Sequence, residues 1–193
     1  MGEKALQKKQ YIVEKARNVF VEKGFKCVTM KDIVEACDIS RGGLYLYFSS
    51  TEEIFEEVLK QDEEKMEAEF SQKNLQGASI ADLLFVFLRE QKKEILIKKD
   101  SLTVAKYEFS FVCRENGKTS VLRRQFETEA LVLEKLLERG NKSQEFFCAS
   151  PREEAGNMML TIEGMKICAS TMGISEKRVD REFMYMMKKV IQE

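Results

Sequence analysis

The stretch TMKDIVEACDISRGGLYLYF, residues 29–48, predicts two short helices with a brief interruption between them. Thr29 is a residue type that caps helix N-termini, and apolar residues follow it at helical spacing. Asp38 suits a tight turn, and Ser40 can cap a second helix that runs to about Phe48. Two short helices joined by a turn of three or four residues are typical of a helix-turn-helix.

The second of these helices carries residues suited to reading DNA. A helix-turn-helix lays its second helix in the major groove, with its first residues near the bases. Gly42 and Gly43 have no Cβ, so the helix backbone can approach base edges closely, and Arg41 can grip the O6 and N7 atoms of guanine. Tyr45 and Tyr47 can offer hydroxyls to phosphates. The alternative, a compact three-helix packing unit, accounts for the apolar residues but not for solvent-facing glycines and tyrosines.

Composition restricts the remaining possibilities. The 193 residues are 44% hydrophobic and 34% charged, which is typical of a helix-rich globular protein. Residues 1–50 carry nine Lys or Arg and six Asp or Glu, whereas the rest carries 23 and 27. A polyanion would therefore meet the N-terminal part. No apolar run reaches the roughly 18 residues of a membrane span, and MGEKALQKKQ lacks the apolar core of a signal peptide, so we expect a cytoplasmic protein that does not enter a membrane.

Enzymatic chemistry finds little support in the sequence. The chain has no histidine, the commonest general acid or base near neutral pH, and no GxSxG, phosphate-loop or GxGxxG motif. Its five cysteines are scattered without CxxC spacing. We therefore expect no catalytic activity, no metal site and no cofactor. Most of the cysteines are expected to be buried small hydrophobes, with a thiol sensor at Cys148 as the alternative.

The periodicity of apolar residues predicts an all-α protein of about nine helices, with a three-helix helix-turn-helix head followed by a larger helical body. We place the DNA-binding head at residues 8–68 and the body at 75–193. The first helix ends at Gly24, a residue type that caps helix C-termini. Residues 51–75 hold nine Asp or Glu and three Lys, which we interpret as a solvated face that repels DNA. FSFVC at 109–113 is the main run that resembles a strand.

Residues 28–55, VTMKDIVEACDISRGGLYLYFSSTEEIF, closely resemble the helix-turn-helix of the TetR/AcrR family of transcriptional regulators. The resemblance spans about residues 8–60 and includes Gly24-Phe25 after helix one, Ile39-Ser40 at the turn and Glu52–Phe55 at the start of helix four. It implies an all-helical homodimer that usually represses transcription and releases its operator when a ligand binds the C-terminal body.

Three positions depart from the family pattern. Asp38 stands where glycine is usual, Gly43 where threonine or serine often stands, and Thr51 where a lysine commonly meets the DNA backbone. Because Thr51 cannot supply that positive charge, binding of the phosphate backbone would rest more on Lys31, the two tyrosines and the serine hydroxyls. The predicted DNA-binding residues are Thr29, Lys31, Ser40, Arg41, Gly42, Gly43, Tyr45, Tyr47, Ser50 and Thr51.

The body gives weaker predictions. Its last two apolar helices resemble the family's pair that packs into a four-helix bundle with a second subunit, and two heads on a two-fold axis would read a palindromic site. The predicted dimer residues are Met158, Ile162, Met165, Phe183, Met187 and Val190. A pocket for a small apolar ligand is predicted from Phe85, Tyr107, Phe111, Phe126 and Met159. Ordinary core packing is the alternative for each of these residues.

These observations predict a transcriptional regulator, a ligand-released repressor that binds a palindromic operator as a homodimer. Its expected partners are double-stranded DNA, a second copy of the chain and a small apolar ligand. One alternative is a cysteine-based, redox-responsive regulator. Another is a helical ligand-binding module or enzyme that retains the head.

Overall fold

The computed structural model describes residues 2–72, 77–97, 101–118 and 120–191, and within these ranges it contains helices and no strand. The predicted all-α fold is therefore confirmed, and residues 109–113 are helical. No helix in the described ranges is long and apolar enough to cross a membrane. The helices are α1 (Glu3–Lys23), α2 (Met30–Cys37), α3 (Arg41–Tyr45), α4 (Thr51–Gln72), α5 (Ile80–Leu96), α6 (Thr103–Glu115), α7 (Val121–Lys142), α8 (Pro151–Thr171) and α9 (Glu176–Val190).

The chain divides into two compact units. Unit 1 comprises residues 1–74 and 99–120, and unit 2 comprises 75–98 and 121–193. Helices α1 to α4 and α6 therefore belong to unit 1, while α5, α7, α8 and α9 belong to unit 2. This division differs from the predicted domains 8–68 and 75–193, because α6 joins the unit that contains the predicted head.

Four phenylalanine rings form the centre of unit 1. Phe20 of α1 lies 4.6 Å from Phe55 of α4 between ring centroids. Phe109 of α6 lies 4.8 Å from Phe25 and 5.2 Å from Phe55. All four rings are buried, and edge-to-face aromatic pairs stabilise a core beyond the area they bury. Phe109 thereby fixes α6 against the helices that precede it.

Gly24 ends α1, as the sequence predicted. Its φ is +74° and its N–H donates to the carbonyl of Phe20 at 3.0 Å. A Cβ at this position would lie 2.7 Å from Oε2 of Glu108, the same oxygen that accepts the N–H of Lys26 at 2.9 Å. Both the left-handed conformation and the close approach of α6 therefore favour glycine at this position.

Two carboxylates of the acidic helix α4 face α1. Lys9 Nζ lies 2.8 Å from Glu57 Oε2, and Arg17 Nε lies 3.1 Å from Asp62 Oδ1. The interpretation of residues 51–75 as a solvated face is therefore incorrect for Glu57 and Asp62, which bind basic residues of α1. Because these pairs engage Lys9 and Arg17, they also reduce the positive charge that α1 presents to solvent.

The core of unit 2 is built from aliphatic, methionine and phenylalanine side chains, with contributions from all four of its helices. Lys92 of α5 adds two ion pairs to α9, at 2.8 Å to Glu176 and 2.6 Å to Asp180. Residues at the centre of this core include Leu84, Leu88, Leu133, Leu137, Met158, Met159, Ile162, Val179 and Val190.

Gly140 allows a close contact inside unit 2. The pair Gly140-Asn141 is typical of a helix end, yet α7 runs through it to Lys142. Phe146 folds back onto α7 and is 1% exposed, and a Cβ on Gly140 would fall inside the ring of Phe146. The N–H of Phe146 donates to the Gly140 carbonyl at 3.1 Å. Glycine is therefore required at 140 by packing, not as a helix terminator.

Candidate nucleic-acid interface

Thr29 caps α2, as predicted, and this role occupies its hydroxyl. Its Oγ1 accepts the N–H of Asp32 at 3.3 Å and donates to Asp32 Oδ2 at 2.6 Å. Lys23 Nζ lies 2.6 Å from the other carboxylate oxygen. The hydrogen bonds from Lys23 and then from Thr29 hold the pKa of Asp32 well below its usual range. A hydrogen bond from the Thr29 hydroxyl to a phosphate would require its bond to Asp32 Oδ2 to break. Thr29 therefore positions α2, and its contact with DNA stays a prediction.

The turn after α2 is formed by Asp38 in a left-handed conformation, with φ 49° and ψ 52°. Aspartate tolerates this region better than most residues, which explains how Asp38 stands where glycine is usual in the resemblance. Tyr11 of α1 donates its hydroxyl to the carbonyl of Cys37 at 3.3 Å. The turn is thus held from α1 at the residue that precedes it.

Ser40 caps α3, as predicted, by accepting the N–H of Gly43 on its Oγ at 3.1 Å. The helix ends at Tyr45, three residues before the predicted end at Phe48. Leu44 and Phe48 are fully buried. These two side chains anchor α3 to the core and leave its first turn at the surface.

Arg41, Gly42 and Tyr45 form one exposed surface on α3, which we call the reading surface. The guanidinium carbon of Arg41 lies 5.6 Å from the centroid of the Tyr45 ring, and Tyr45 is 44% exposed. A Cβ on Gly42 would meet nothing within 4 Å, whereas one on Gly43 would lie 3.1 Å from Ser40 Oγ. Gly42 is therefore open towards solvent, and the cation–π contact orients Arg41. The sequence did not predict this second role of Tyr45.

Lys31 and Tyr47 differ in how exposed their side chains are to solvent. Lys31 is exposed, and its Nζ lies 3.6 Å from Glu35 in a pair between two well-exposed side chains. Such pairs contribute little in water, so the ammonium can exchange Glu35 for a phosphate. Tyr47 is half-buried, which makes it the less accessible of the two predicted tyrosines.

The start of α4 is organised by Ser49 and Ser50. Ser50 Oγ accepts the N–H of Glu53 at 3.2 Å, and Ser49 donates its N–H and its hydroxyl to Glu53 Oε2 at 2.7 and 2.8 Å. The backbone bond from Ser49 is the largest cause that lowers the pKa of Glu53. Ser50 keeps its hydroxyl hydrogen for an outside acceptor. Thr51 is the first residue of the helix and is half-buried.

Two lysines of α1 were not among the predicted DNA-binding residues. Lys8 and Lys15 place their Nζ atoms 4.9 and 5.7 Å from the centroid of the Tyr11 ring, while Lys9 and Arg17 face α4. The count of nine Lys or Arg in residues 1–50 did not separate these two pairs. The spacing of Lys8, Tyr11 and Lys15, three and then four residues, marks one helical face and could have distinguished them.

Neither unit assembles the predicted ligand pocket by itself. Tyr107 and Phe111 belong to unit 1, whereas the other three residues belong to unit 2. Within unit 2, Met159 is fully buried in the core, Phe126 packs at the core's edge, and Phe85 is 61% exposed. The three residues therefore occupy three different environments.

The structure also changes the candidate dimer surface. Five of the six predicted residues are buried in the core of unit 2, and Met187 packs against that core. Since these side chains stabilise the monomer, we correct the candidate surface to the exposed apolar residues on or beside the same helices. These are Leu160, Ile167, Met172, Met184 and Tyr185.

Cys148 does not have the surroundings of a thiol sensor. It is buried, burial raises the pKa of its thiol, and its backbone N–H and carbonyl are both bound by the side chain of Asn141, at 2.9 and 2.7 Å. A raised pKa reduces the reactive thiolate. The part of the chain that the structure describes contains no group of three or more His, Cys, Asp or Glu that could hold a metal ion.

Comparison with known proteins gives two family matches. Residues 12–58 match the model of bacterial regulatory proteins of the TetR family, and residues 83–180 match that of the tetracyclin repressor-like C-terminal domain. The HTH-type transcriptional regulator YfiR of Bacillus subtilis is 30% identical over 141 residues, which cover 72% of this chain and 68% of that protein.

Two solved structures share the fold. A TetR-family transcriptional regulator from Agrobacterium tumefaciens superimposes with a TM-score of 0.76 at 17% identity, covering 96% of this chain and 98% of that one. A transcriptional regulator from Saccharomonospora viridis, solved in complex with choline, gives a TM-score of 0.77 at 16% identity with the same coverage. Both are similar to this chain over nearly their whole length.

Proposed function

The chain belongs to the TetR family of helix-turn-helix transcriptional regulators, and we propose that it is a repressor that binds a palindromic operator as a homodimer and releases it when a small ligand binds. The observation that carries the proposal is the reading surface. In one exposed turn it combines an oriented guanidinium, an open glycine and a tyrosine hydroxyl.

Arg41 is the proposed base reader. A guanidinium can donate two parallel hydrogen bonds to guanine, and stacking on Tyr45 restricts the orientations that Arg41 samples before DNA arrives. The open surface at Gly42 lets the backbone of α3 lie close to the bases. Tyr45 therefore contributes twice, by orienting Arg41 with its ring and by offering its hydroxyl to a phosphate.

Backbone contacts are proposed for Lys31, Tyr47, Ser40 and Ser50. Lys31 supplies charge, and the serine hydroxyls retain a hydrogen after accepting the N–H groups that they cap. Such contacts position a protein on DNA without selecting sequence.

The dimer is proposed from the exposed apolar residues of α8 and α9. Large apolar side chains in solvent, such as Leu160 at 64% exposed and Tyr185 at 56%, mark interaction sites when they recur on neighbouring helices. Two heads related by a two-fold axis would then read the two halves of a palindrome.

Release by a ligand is supported by the position of α6 within unit 1. Phe109 packs on Phe25, and Glu108 accepts the N–H of Lys26 next to Gly24. A displacement of α6 would therefore be transmitted to the segment between α1 and α2. The S. viridis neighbour was solved in complex with choline, which supports the binding of a small molecule by a protein of this fold.

The decisive experiment is an unbiased selection of DNA with the purified full-length protein, followed by binding measurements on variants. Arg41→Ala should abolish preference at one base position per half-site, and Arg41→Lys should keep non-specific affinity without restoring that preference. Tyr45→Phe keeps the ring but removes the hydroxyl, and it should lower the affinity for all DNA sequences to the same extent. Failure to enrich any sequence, or equal preference in wild type and Arg41→Ala, would contradict the proposed reader.

Light scattering on the same samples tests the dimer. We expect twice the chain mass for the wild type and a monomeric mass for Leu160→Glu. Phe85→Glu is the matched control, because Phe85 is equally exposed but lies on α5. A monomeric wild type that still binds palindromic DNA would require another mode of assembly.

A further inference from the structure

Unit 2 contains a polar cluster, buried at Gln91 and Lys166 and partly exposed at its three glutamates, that neither the reading surface nor the dimer explains. It comprises Gln91 and Glu94 of α5, Glu129 of α7, and Glu163 and Lys166 of α8, and we call it the Lys166 cluster. Lys166 is 6% exposed, and its Nζ lies 2.9 Å from Glu94 Oε2 and 3.1 Å from Glu163 Oε1. Gln91 Nε2 lies 3.0 Å from Glu129 Oε2. Residues from three helices thus meet in the interior.

The surroundings of Lys166 favour positive charge. Burial alone lowers the pKa of a lysine, but attraction to Glu94, Glu129 and Glu163 outweighs burial and raises the pKa of Lys166 above its ordinary value. Lys166 therefore stays charged in the interior. The three glutamates keep the buried ammonium of Lys166 charged. Carboxylates in such surroundings can also recognise other cations.

Gln91 contributes a buried hydrogen-bond acceptor to the cluster. Gln91 is 5% exposed, and its Oε1 is buried without a hydrogen-bond partner. The orientation of its amide follows from Glu129, because an ionised carboxylate only accepts hydrogen bonds and must face the NH₂ group. Oε1 therefore points away from Glu129 and lacks a donor, and leaving a buried acceptor unpaired is unfavourable.

We propose that the Lys166 cluster recognises a small organic cation that carries N–H donors and an apolar group, as in an alkylammonium or alkylguanidinium. The N–H of the cation donates to Gln91 Oε1. Because Oε1 and the NH₂ group bound to Glu129 belong to the same amide, the charge of the cation lies close to the Glu129 carboxylate. The inference rests on the proposed control by a ligand and replaces the wholly apolar ligand predicted from the sequence with one that has a charged end.

Two observations define the chemical class. The described residues include no group of three or more His, Cys, Asp or Glu that could hold a metal ion, which favours a polyatomic cation over a bare divalent one. One helical turn before Gln91 and Glu129 stand Leu88, which is buried, and Phe126, which packs against the core. An apolar group attached to the cation would therefore find apolar neighbours on the same helix faces.

Calorimetric titration of the full-length protein without DNA tests the site. The probes are butylammonium and butylguanidinium, with tetramethylammonium as a cation without N–H donors and butanol as a neutral compound of similar size. We expect saturable binding of the first two and binding at least about tenfold weaker for the others. Equal binding of butanol, or no saturable binding of either N–H cation at millimolar concentration, would overturn the proposal and leave a buried water as the partner of Gln91.

Three variants assign the binding to the cluster. Gln91→Leu removes the acceptor and Glu129→Gln removes the charge. Each variant should lower the affinity for butylammonium about tenfold or more. Glu138→Gln on the exposed side of α7 is the charge-matched control and should bind like the wild type. Gln91→Leu removes the unpaired acceptor but also the amide that donates to Glu129, so urea unfolding of each variant checks that it folds before binding is compared. Equal affinity in all three variants would place the cation elsewhere and overturn the assignment.

Operator release separates this inference from the proposed function. Anisotropy of a selected operator, measured with and without a saturating N–H cation, should show release that Gln91→Leu reduces about tenfold in sensitivity. Calorimetric binding without release would retain the site and refute control by this ligand. If a neutral compound releases the operator, and does so at the same concentration from Gln91→Leu as from the wild type, the protein is still a ligand-controlled repressor but the cation site is refuted.

Discussion

The helix caps of unit 1 and the Lys166 cluster of unit 2 differ in how far apart along the chain their polar partners are. The caps of the helix-turn-helix join residues three or four apart, as in Thr29–Asp32 and Ser49–Glu53. In unit 2 the bond between Gln91 and Glu129 joins residues 38 apart. Local contacts of the first kind follow from residue type and spacing, whereas contacts of the second kind depend on how whole helices pack.

The two units also differ in what limits substitution. Around α2 the limiting features are charged caps at the surface, whose strength depends on protonation. At Gly140 the limiting feature is shape, because the ring of Phe146 occupies the place of a side chain. Substitutions in unit 1 should therefore show small, pH-dependent effects, and the tightest point of unit 2 should show a large effect without pH dependence.

The largest expected effect is that of Gly140→Ala. The new methyl group collides with Phe146, and over-packing of this kind lowers the free energy of unfolding by about 3 kcal/mol or more. Urea unfolding of the full-length protein at fixed concentration measures the loss. The loss should be equal at pH 5 and pH 8, because neither Gly140 nor Phe146 titrates.

Phe146→Ala provides the control for this prediction. In that background the ring is gone, and Gly140→Ala should be neutral or stabilise by up to about 1 kcal/mol, the usual gain of alanine over glycine inside a helix. If Gly140→Ala were equally harmful in both backgrounds, the collision with Phe146 would not be its cause.

The same difference between units explains what the sequence predicted. The caps at Thr29 and Ser40 and the turn at Asp38 were predicted correctly, because each depends on residues within a few positions. The five-residue length of α3 and the stacking of Arg41 on Tyr45 could not be derived from spacing alone.

Predictions for the body failed where they needed tertiary information. Helical periodicity identifies an apolar stripe but not whether its own subunit or a partner covers it, so Met158 and Phe183 were assigned to the dimer although they are buried in the monomer. Lys166 and Gln91 read as ordinary surface residues in sequence. Their burial depends on the packing of three helices, which no local pattern specifies.

An intermediate effect is expected at Asp32. Asp32→Asn keeps a hydrogen-bond acceptor but removes the charge that Lys23 and Thr29 stabilise, which should lower the free energy of unfolding at pH 7 by about 1–2 kcal/mol. The pKa of Asp32 is lowered in the folded state, so its contribution is present above the unfolded value of about 4 and is lost as pH falls through the folded value. The difference between wild type and variant should narrow below about pH 4.

Urea unfolding at pH 7, 5 and 3 measures this trend. Lys23→Met is the companion variant, because it removes the hydrogen bond that lowers the pKa of Asp32 most while leaving Thr29 in place, and its difference from wild type should also narrow at low pH. A difference that stays constant from pH 7 to pH 3 for both variants would show that the charge of Asp32 does not support α2.

The smallest effect on stability, and the sharpest test of the difference between the units, is expected at Gly42. A Cβ there meets nothing within 4 Å, so Gly42→Ala should stabilise the free protein by up to about 1 kcal/mol through helix propensity. The same methyl group would stand between α3 and the bases, so operator affinity should fall while stability rises.

Gly43→Ala is the neighbouring control. Its Cβ would lie 3.1 Å from Ser40 Oγ, so its free energy of unfolding should rise less than that of Gly42→Ala. Unchanged operator affinity in Gly42→Ala would mean that this glycine is not needed for close approach to DNA. A fall in affinity with a rise in stability would mean that glycine is kept at position 42 for the DNA partner and at position 140 for the fold.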